Sequence, residues 1–146
     1  MAQPPLLLEE SYFDIVSLEA APEYVPDAEG QPRRHGVEMQ LGLATVDDSP
    51  DVWRVSLDIA HKAVEEETPR YRFRLRTIGY FRYVADETPE ADVAQLIATN
   101  GASILYSSAR EYLMMLTSRT PWGQLSLPTM SFADALLAPN EARPEV

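Results

Sequence analysis

The chain of 146 residues lacks cysteine and contains only two histidines, His35 and His61. The absence of cysteine excludes disulfides, thiolate metal sites and a cysteine nucleophile. Two histidines alone cannot complete a histidine-rich metal site. Basic residues are also scarce, since 12 of them stand against 23 acidic residues and leave a formal charge of −11. This balance argues against a general nucleic-acid binder, because such a protein must neutralise phosphates.

Long hydrophobic runs are missing too. The longest runs are far too short to span a membrane. The N-terminus has no basic residues, and its leucine run at residues 6–8 is too short for a signal peptide. We therefore expect a cytoplasmic protein without membrane insertion. Hydrophobic residues still make up 45% of the chain. The length predicts a single domain over residues 1–146, with a core at about residues 8–137 and a flexible tail at 138–146.

Four segments in the first half of the chain alternate apolar and polar residues, at about residues 8–19, 35–46, 52–64 and 70–83. In the third segment, for example, Trp53, Val55 and Leu57 share one face. Residues 65–69 are typical of a hairpin loop between the third and fourth segments. A series of half-buried strands predicts an antiparallel sheet with one covered face.

The second half of the chain changes to helical spacing. Thr88 is a good N-cap and Pro89 suits the first helical position, so a short helix is expected to begin there and to end at Asn100-Gly101. A longer helix is predicted at about residues 103–118, and residues 132–137 favour a last helical turn or two. Strands followed by helices predict an α+β fold, with a four-stranded antiparallel sheet and two C-terminal helices packed on one face.

No pattern of a catalytic site stands out. The serines at 103, 107 and 108 lack the Gly-x-Ser-x-Gly elbow of hydrolases, and there is no glycine-rich phosphate loop. Acidic pairs such as Asp47-Asp48 lie in turns, where solvated charges are more usual than acid–base pairs. We therefore expect no enzyme, no metal and no cofactor. A serine–histidine triad stays open as an alternative, because it depends on geometry.

The fourth segment carries a stripe of arginines in this acidic chain. Arg70, Arg72, Arg74 and Arg76 recur at every second position, Arg82 extends the stripe, and no acidic residue interrupts it. Period two places the first four on one face of a strand. Three interpretations stay open: the arginines pair with acids of another strand or subunit, they form a docking strip for an acidic partner segment, or they bind nucleic acid.

The chain from about Leu8 to Leu137 resembles the SecB family of export chaperones. In the strands, Val16-Ser17-Leu18-Glu19-Ala20 looks like the family's first strand and Gly79-Tyr80-Phe81 like the end of its fourth. The resemblance rests on Asn100-Gly101 followed by an Ile-Leu…Ala-Arg-Glu run, on Ser118-Arg119, and on Gln124-Leu125-Ser126-Leu127-Pro128 with Phe132 after it. It implies a sheet of four strands with two helices, assembled as a homotetramer (a dimer of dimers). It also implies a chaperone that holds unfolded precursor proteins in apolar grooves without ATP or metal and passes them to the motor SecA.

The resemblance also assigns residues. Glu19 and Asp14 match acids that dock the motor, although Asp14 lies one residue out of register. Arg74 stands where the family has a motor-contacting acid, and Arg72 replaces an apolar neighbour, so the motor's basic surface should be disfavoured. Phe73, Leu75 and Thr77 match positions that join dimers into tetramers, with a simple sheet core as the equal alternative. The expected client-binding residues are Trp53, Tyr80, Phe81, Trp122, Leu125 and Leu127.

These observations predict an ATP-independent holdase that binds unfolded or precursor polypeptides for export. A dedicated chaperone of one partner, such as an antitoxin, is the first alternative within the same fold. A small α+β domain that binds an apolar ligand is an alternative of another class.

Overall fold

The structure, a computed structural model, describes residues 6–25, 36–63, 68–84 and 90–133. It contains four strands, β1 (Leu6–Ala20), β2 (Val37–Val46), β3 (Ser49–His61) and β4 (Tyr71–Tyr83), followed by the helix α1 (Glu90–Thr117). The strands form one antiparallel sheet in the order β1-β4-β3-β2. The four predicted strand segments are therefore confirmed, and β3 and β4 pair as neighbours, as expected for a hairpin.

Alternation along the strands gives the sheet a mainly apolar inner face and a mainly polar outer face. On the inner face, side chains of β3 and β4 such as Leu57, Ile59 and Leu75 are fully buried and form the core with α1. On the outer face, the arginines of β4 lie half-exposed. The turn between β2 and β3 places Asp48 at a φ of 65°, in the left-handed region that aspartate tolerates better than most residues.

The second half of the described chain contains one helix, so the prediction of two helices with a break at Asn100-Gly101 is wrong. Asn100 donates from its side chain to the carbonyl of Leu96 at 2.9 Å, inside the continuous helix. Gly101 serves close packing instead, since a Cβ there would lie 3.1 Å from Val55 Cγ2 and 3.3 Å from Phe81 Cε2. Packing against the sheet thus overrides the local stop signal. The predicted start at Thr88 and Pro89 and the predicted turns at 134–137 lie outside the described residues.

Gly101→Val is expected to lower the free energy of unfolding by about 1–3 kcal/mol, because the new side chain must push into Val55 and Phe81. Urea denaturation measures this loss. Asn100→Ala, at the exposed neighbouring position, is the matched control and should cost no stability. A Gly101→Val protein as stable as the parent would show that helix and sheet do not pack this closely.

No helix in residues 90–133, or elsewhere in the described chain, is long and apolar enough to cross a membrane. After α1 the chain turns at Gly123, whose φ is 82°, and continues without regular secondary structure to residue 133. We call residues 121–133 the strap. It runs back along α1, since Leu125 contacts Thr117, Pro128 contacts Tyr106 and Ala133 contacts Gln95.

Candidate polypeptide-binding site

The strap is held against α1 by side chains of the helix. The Thr117 hydroxyl accepts the Leu125 N–H at 2.8 Å and donates to the carbonyl of Leu113 at 2.7 Å. The Tyr106 hydroxyl donates to the carbonyl of Pro128, and its ring meets that of Phe132 edge-on, with centroids 5.6 Å apart. Burial raises the pKa of Tyr106, so this hydroxyl stays protonated and able to donate at neutral pH.

Side chains at one end of the sheet hold the start of the strap. The Tyr71 hydroxyl of β4 lies 2.5 Å from both the Gly123 carbonyl oxygen and Thr120 Oγ1. Arg70, which is largely buried, donates to the carbonyl of Trp122 at 3.1 Å. Trp122 Nε1 in turn donates to the carbonyl of Ala21 at 2.8 Å. Trp122 is therefore held both at its indole N–H and at its main-chain carbonyl, and the strap begins at a defined place.

Two leucines of the strap are inserted into the core. Leu125 and Leu127 are 4% and 1% exposed, whereas Ser126 between them faces outward. This alternation is that of an extended chain with one buried side. Both leucines belong to the same apolar cluster as Leu105 and Leu113 of α1.

The predicted client-binding residues occupy three different places. Trp122, Leu125 and Leu127 lie in the strap, as described above. Trp53 and Phe81 are paired across β3 and β4 on the inner face, where Phe81 is fully buried and Trp53 is half-buried. Tyr80 lies on the outer face, because consecutive strand residues alternate, and its hydroxyl lies 3.3 Å from that of Tyr12. The six residues therefore do not line one surface, and their role with clients stays a prediction.

The three residues predicted to join dimers lie in the core of a single chain. Phe73, Leu75 and Thr77 are all buried on the inner face of β4. The Thr77 hydroxyl is also satisfied internally, by donating to the carbonyl of Tyr12 at 3.2 Å. Contact of these residues with a second subunit stays a prediction.

Four arginines of the stripe, Arg72, Arg74, Arg76 and Arg82, are paired with acids, which confirms for them the interpretation of ion pairing with another strand. Arg70 differs, because it is largely buried and donates to the carbonyl of Trp122 instead. Arg74 Nη2 lies 2.7 Å from Asp58 Oδ2 of β3, and Arg76 Nε lies 2.9 Å from Asp14 Oδ1 of β1. The other three pairs join β4 to β1 and to the residues after it: Arg72 contacts both Glu19 (3.1 Å) and Glu23, and Arg82 contacts Glu9 (3.1 Å).

Two β-bulges in β1 make this pairing possible. The register between β1 and β4 shifts between Leu8 and Glu10 and again between Phe13 and Ile15. The extra residues are thus Glu9 and Asp14, and each reaches an arginine of β4. In a regular strand Glu9 and Asp14 would point to opposite faces, because they are five positions apart. One of the two carboxylates would then lie on the apolar inner face.

The ion pairs change the titration of the acids involved. Hydrogen bonds from Arg76 hold the pKa of Asp14 below its ordinary value, and those from Arg72 do the same to the pKa of Glu23. Because both pKa values are lower in the folded protein, the stability from these pairs is present at neutral pH. It is lost as the pH falls through the lowered values. Both acids predicted to dock a motor, Glu19 and Asp14, are already engaged by arginines of the same chain.

Sequence reasoning missed the side chains that hold the strap, namely Arg70, Tyr71, Gln95, Tyr106 and Thr117. Their partners are mostly main-chain atoms, which are the same in every residue and leave no pattern in a sequence. The one available signal was the pair of leucines two positions apart after the end of a helix.

Comparison with known proteins assigns the family. The profile that describes preprotein translocase subunit SecB matches residues 1–143, so the chain belongs to the SecB family. This confirms the resemblance seen in the sequence, and it makes the chain a chaperone, for protein export or for a dedicated partner. Members of this family are chaperones and not enzymes.

Individual relatives agree with this assignment. The protein-export proteins SecB of Psychrobacter arcticus and Psychrobacter cryohalolentis are each 27% identical over 138 residues, which cover 92% of this chain and 87% and 86% of theirs. A SecB-like chaperone of Mycobacterium tuberculosis, solved in complex with a ChAD peptide from an antitoxin, matches with a TM-score of 0.63 and 18% identity. That match covers 87% of this chain and 91% of the other, and it shows that the two share a fold.

Proposed function

We propose that the protein is an ATP-independent holdase of the cytoplasm that binds unfolded or precursor polypeptides as a homotetramer. The observation that supports this most is an exposed apolar surface between β1 and α1. On β1, Val16 of the inner face is 46% exposed, and on α1, Met115 is 64% exposed. Tyr112 of α1 contacts Phe13 of β1 with ring centroids 4.8 Å apart, so the two elements meet at this point.

This surface continues along both elements. Helical spacing places Ile104, Ser108, Tyr112 and Met115 on the same side of α1. Ile104 is exposed like Met115, and so is Leu8, which lies on the inner face of β1. Extended apolar surface of this kind marks a place for another chain. We call Leu8, Val16, Ile104 and Met115 the apolar strip and assign it to contact between subunits.

The test measures protection and mass together. The protein should suppress aggregation of a denatured substrate without nucleotide, and light scattering should give about four times 16.4 kDa. Met115→Glu should lower that mass, because a carboxylate cannot be buried in an apolar contact without a partner. Val84→Glu, which places the same charge at another exposed apolar side chain, is the control and should leave the mass unchanged. A stable monomer at micromolar concentration, or no protection of the substrate, would contradict the proposal.

The ion pairs of the outer face favour a second candidate, a chaperone dedicated to one partner such as an antitoxin. The resemblance implies that Glu19 and Asp14 dock SecA. Here arginines neutralise both of them, and a basic motor surface would have to displace those arginines first. A pull-down from cell lysate separates the candidates, because a general holdase retains many unfolded chains and a dedicated one retains a single partner.

A further inference from the structure

The side chains that hold the strap recognise main chain rather than sequence. Gln95 donates to the carbonyl of Ala133 at 2.8 Å, Tyr106 to that of Pro128, and Thr117 accepts the N–H of Leu125. At the other end, the Tyr71 hydroxyl lies within hydrogen-bond distance of the Gly123 carbonyl. Carbonyl and N–H groups recur in every polypeptide. We call the path that the strap occupies, between α1 and the sheet, the channel. The same contacts are available to any extended chain that takes the place of the strap there.

The apolar contacts of the strap have an equally general form. Leu125 and Leu127 fill two sites of the core that are two residues apart along the chain. An extended segment points alternate side chains to the same side, so any sequence with apolar residues at positions i and i+2 presents the same pattern. Main-chain hydrogen bonds combined with alternate side-chain sites are how proteins bind extended peptides in general.

In the described residues, side chains hold this part of the strap, and they include Arg110, which donates to the Ser126 hydroxyl at 3.4 Å, and Phe132, whose ring packs on Tyr106. Residues 124–133 belong to no helix or strand, and no main-chain hydrogen bond joins them to a described helix or strand. Their release would therefore leave the sheet and α1 with all their main-chain hydrogen bonds. A segment held only by side chains can be exchanged for another at little net cost, provided that the newcomer makes the same contacts.

We propose that the channel between α1 and the sheet is a binding site for extended polypeptide, and that residues 124–133 are its resident occupant. A client segment with apolar residues two positions apart displaces these residues and takes over their contacts. This rests on the proposed chaperone function, for which it supplies the client site. It also predicts that the strap competes with clients. The apparent affinity for a client is then the affinity of the empty channel multiplied by the fraction of molecules in which the channel is empty.

Hydrogen exchange on the unmodified protein tests the displacement. The probe is reduced and carboxymethylated α-lactalbumin, a permanently unfolded chain. Addition of the probe should accelerate exchange of the Leu125 amide, which is bonded to Thr117 in the free protein. A probe that binds while the Leu125 amide stays protected would overturn the proposed channel but leave the chaperone function intact. A probe that does not bind at all would overturn both.

A strap variant tests the competition. Leu125→Ala removes a buried side chain from the occupant and leaves the channel intact, so the probe should bind about 10-fold tighter or more. Thr129→Ala, at an exposed position of the same strap, is the matched control and should leave affinity unchanged. If Leu125 instead contacted clients directly, the alanine variant would bind the probe more weakly, and that result would overturn the assignment of the strap as occupant.

Discussion

Phe81→Ala is expected to lower the free energy of unfolding by about 3–5 kcal/mol, although the resemblance counts Phe81 among the client-binding residues. The ring is fully buried and fills the space that two glycines leave open. A Cβ at Gly79 would lie only 2.8 Å from its Cε2 atom, and one at Gly101 would lie 3.3 Å away. The neighbouring backbone cannot collapse easily into the cavity, because the sheet and α1 are both continuous here.

Urea denaturation at neutral pH measures this loss. The control is Val84→Ala, which removes an apolar side chain from an exposed position just beyond the end of β4 and should change stability by less than about 0.5 kcal/mol. A Phe81→Ala protein that is equally stable but binds unfolded chains more weakly would contradict the core role and support the predicted role of Phe81 in client binding.

The double substitution Arg72→Glu and Arg74→Glu should turn the outer face into an acidic surface that binds SecA. It removes two positive charges, adds two negative ones and frees the acids that the arginines now hold, among them Glu19 and Asp58. A row of unpaired carboxylates attracts a basic docking surface through its summed field. The variant should therefore bind the motor measurably where the parent does not, and the binding should weaken as salt is added.

The same variant should keep its oligomeric mass, because the ion pairs it breaks lie within one chain. Size-exclusion chromatography with light scattering checks the mass, and calorimetry with purified SecA checks the binding. The double substitution Arg72→Gln and Arg74→Gln is the neutral control, since it frees the acids without adding charge. Dissociation of the oligomer would show that the stripe holds subunits together, and binding of SecA by the parent would show that these ion pairs do not block the motor.

Much of the fold could be predicted because apolar and polar residues alternate along most of the strands, most regularly in β3. The period of two in segments such as 52–64 arises because one face of the sheet is buried and the other is exposed to solvent. The helix shows the opposite case. Gly101 reads locally as a stop, and only the presence of Val55 and Phe81 against it explains why the helix continues.

The pairing of the arginine stripe depended on topology that no local pattern carries. Asp58 lies on the neighbouring β3, but the other acids lie in β1 and in the residues just after it, although 49 to 73 residues separate these partners in the chain. The bulges that direct Glu9 and Asp14 outward leave no signal in the sequence either. The strap contacts could not be predicted from the sequence either, because most of their acceptors are main-chain carbonyls, which every residue has.

The two bulges also bear on how β1 avoids errors of its own. β1 is 15 residues long and forms an edge of the sheet, and a long regular edge strand is a template for misaligned pairing and fibril growth. A slip of one residue would carry Glu9 and Asp14 away from Arg82 and Arg76 and would turn apolar side chains to the wet face. The carboxylates at the two bulges therefore fix the register in which β1 pairs with β4. A protein that handles aggregation-prone chains can then have an edge strand of this length without itself nucleating aggregates.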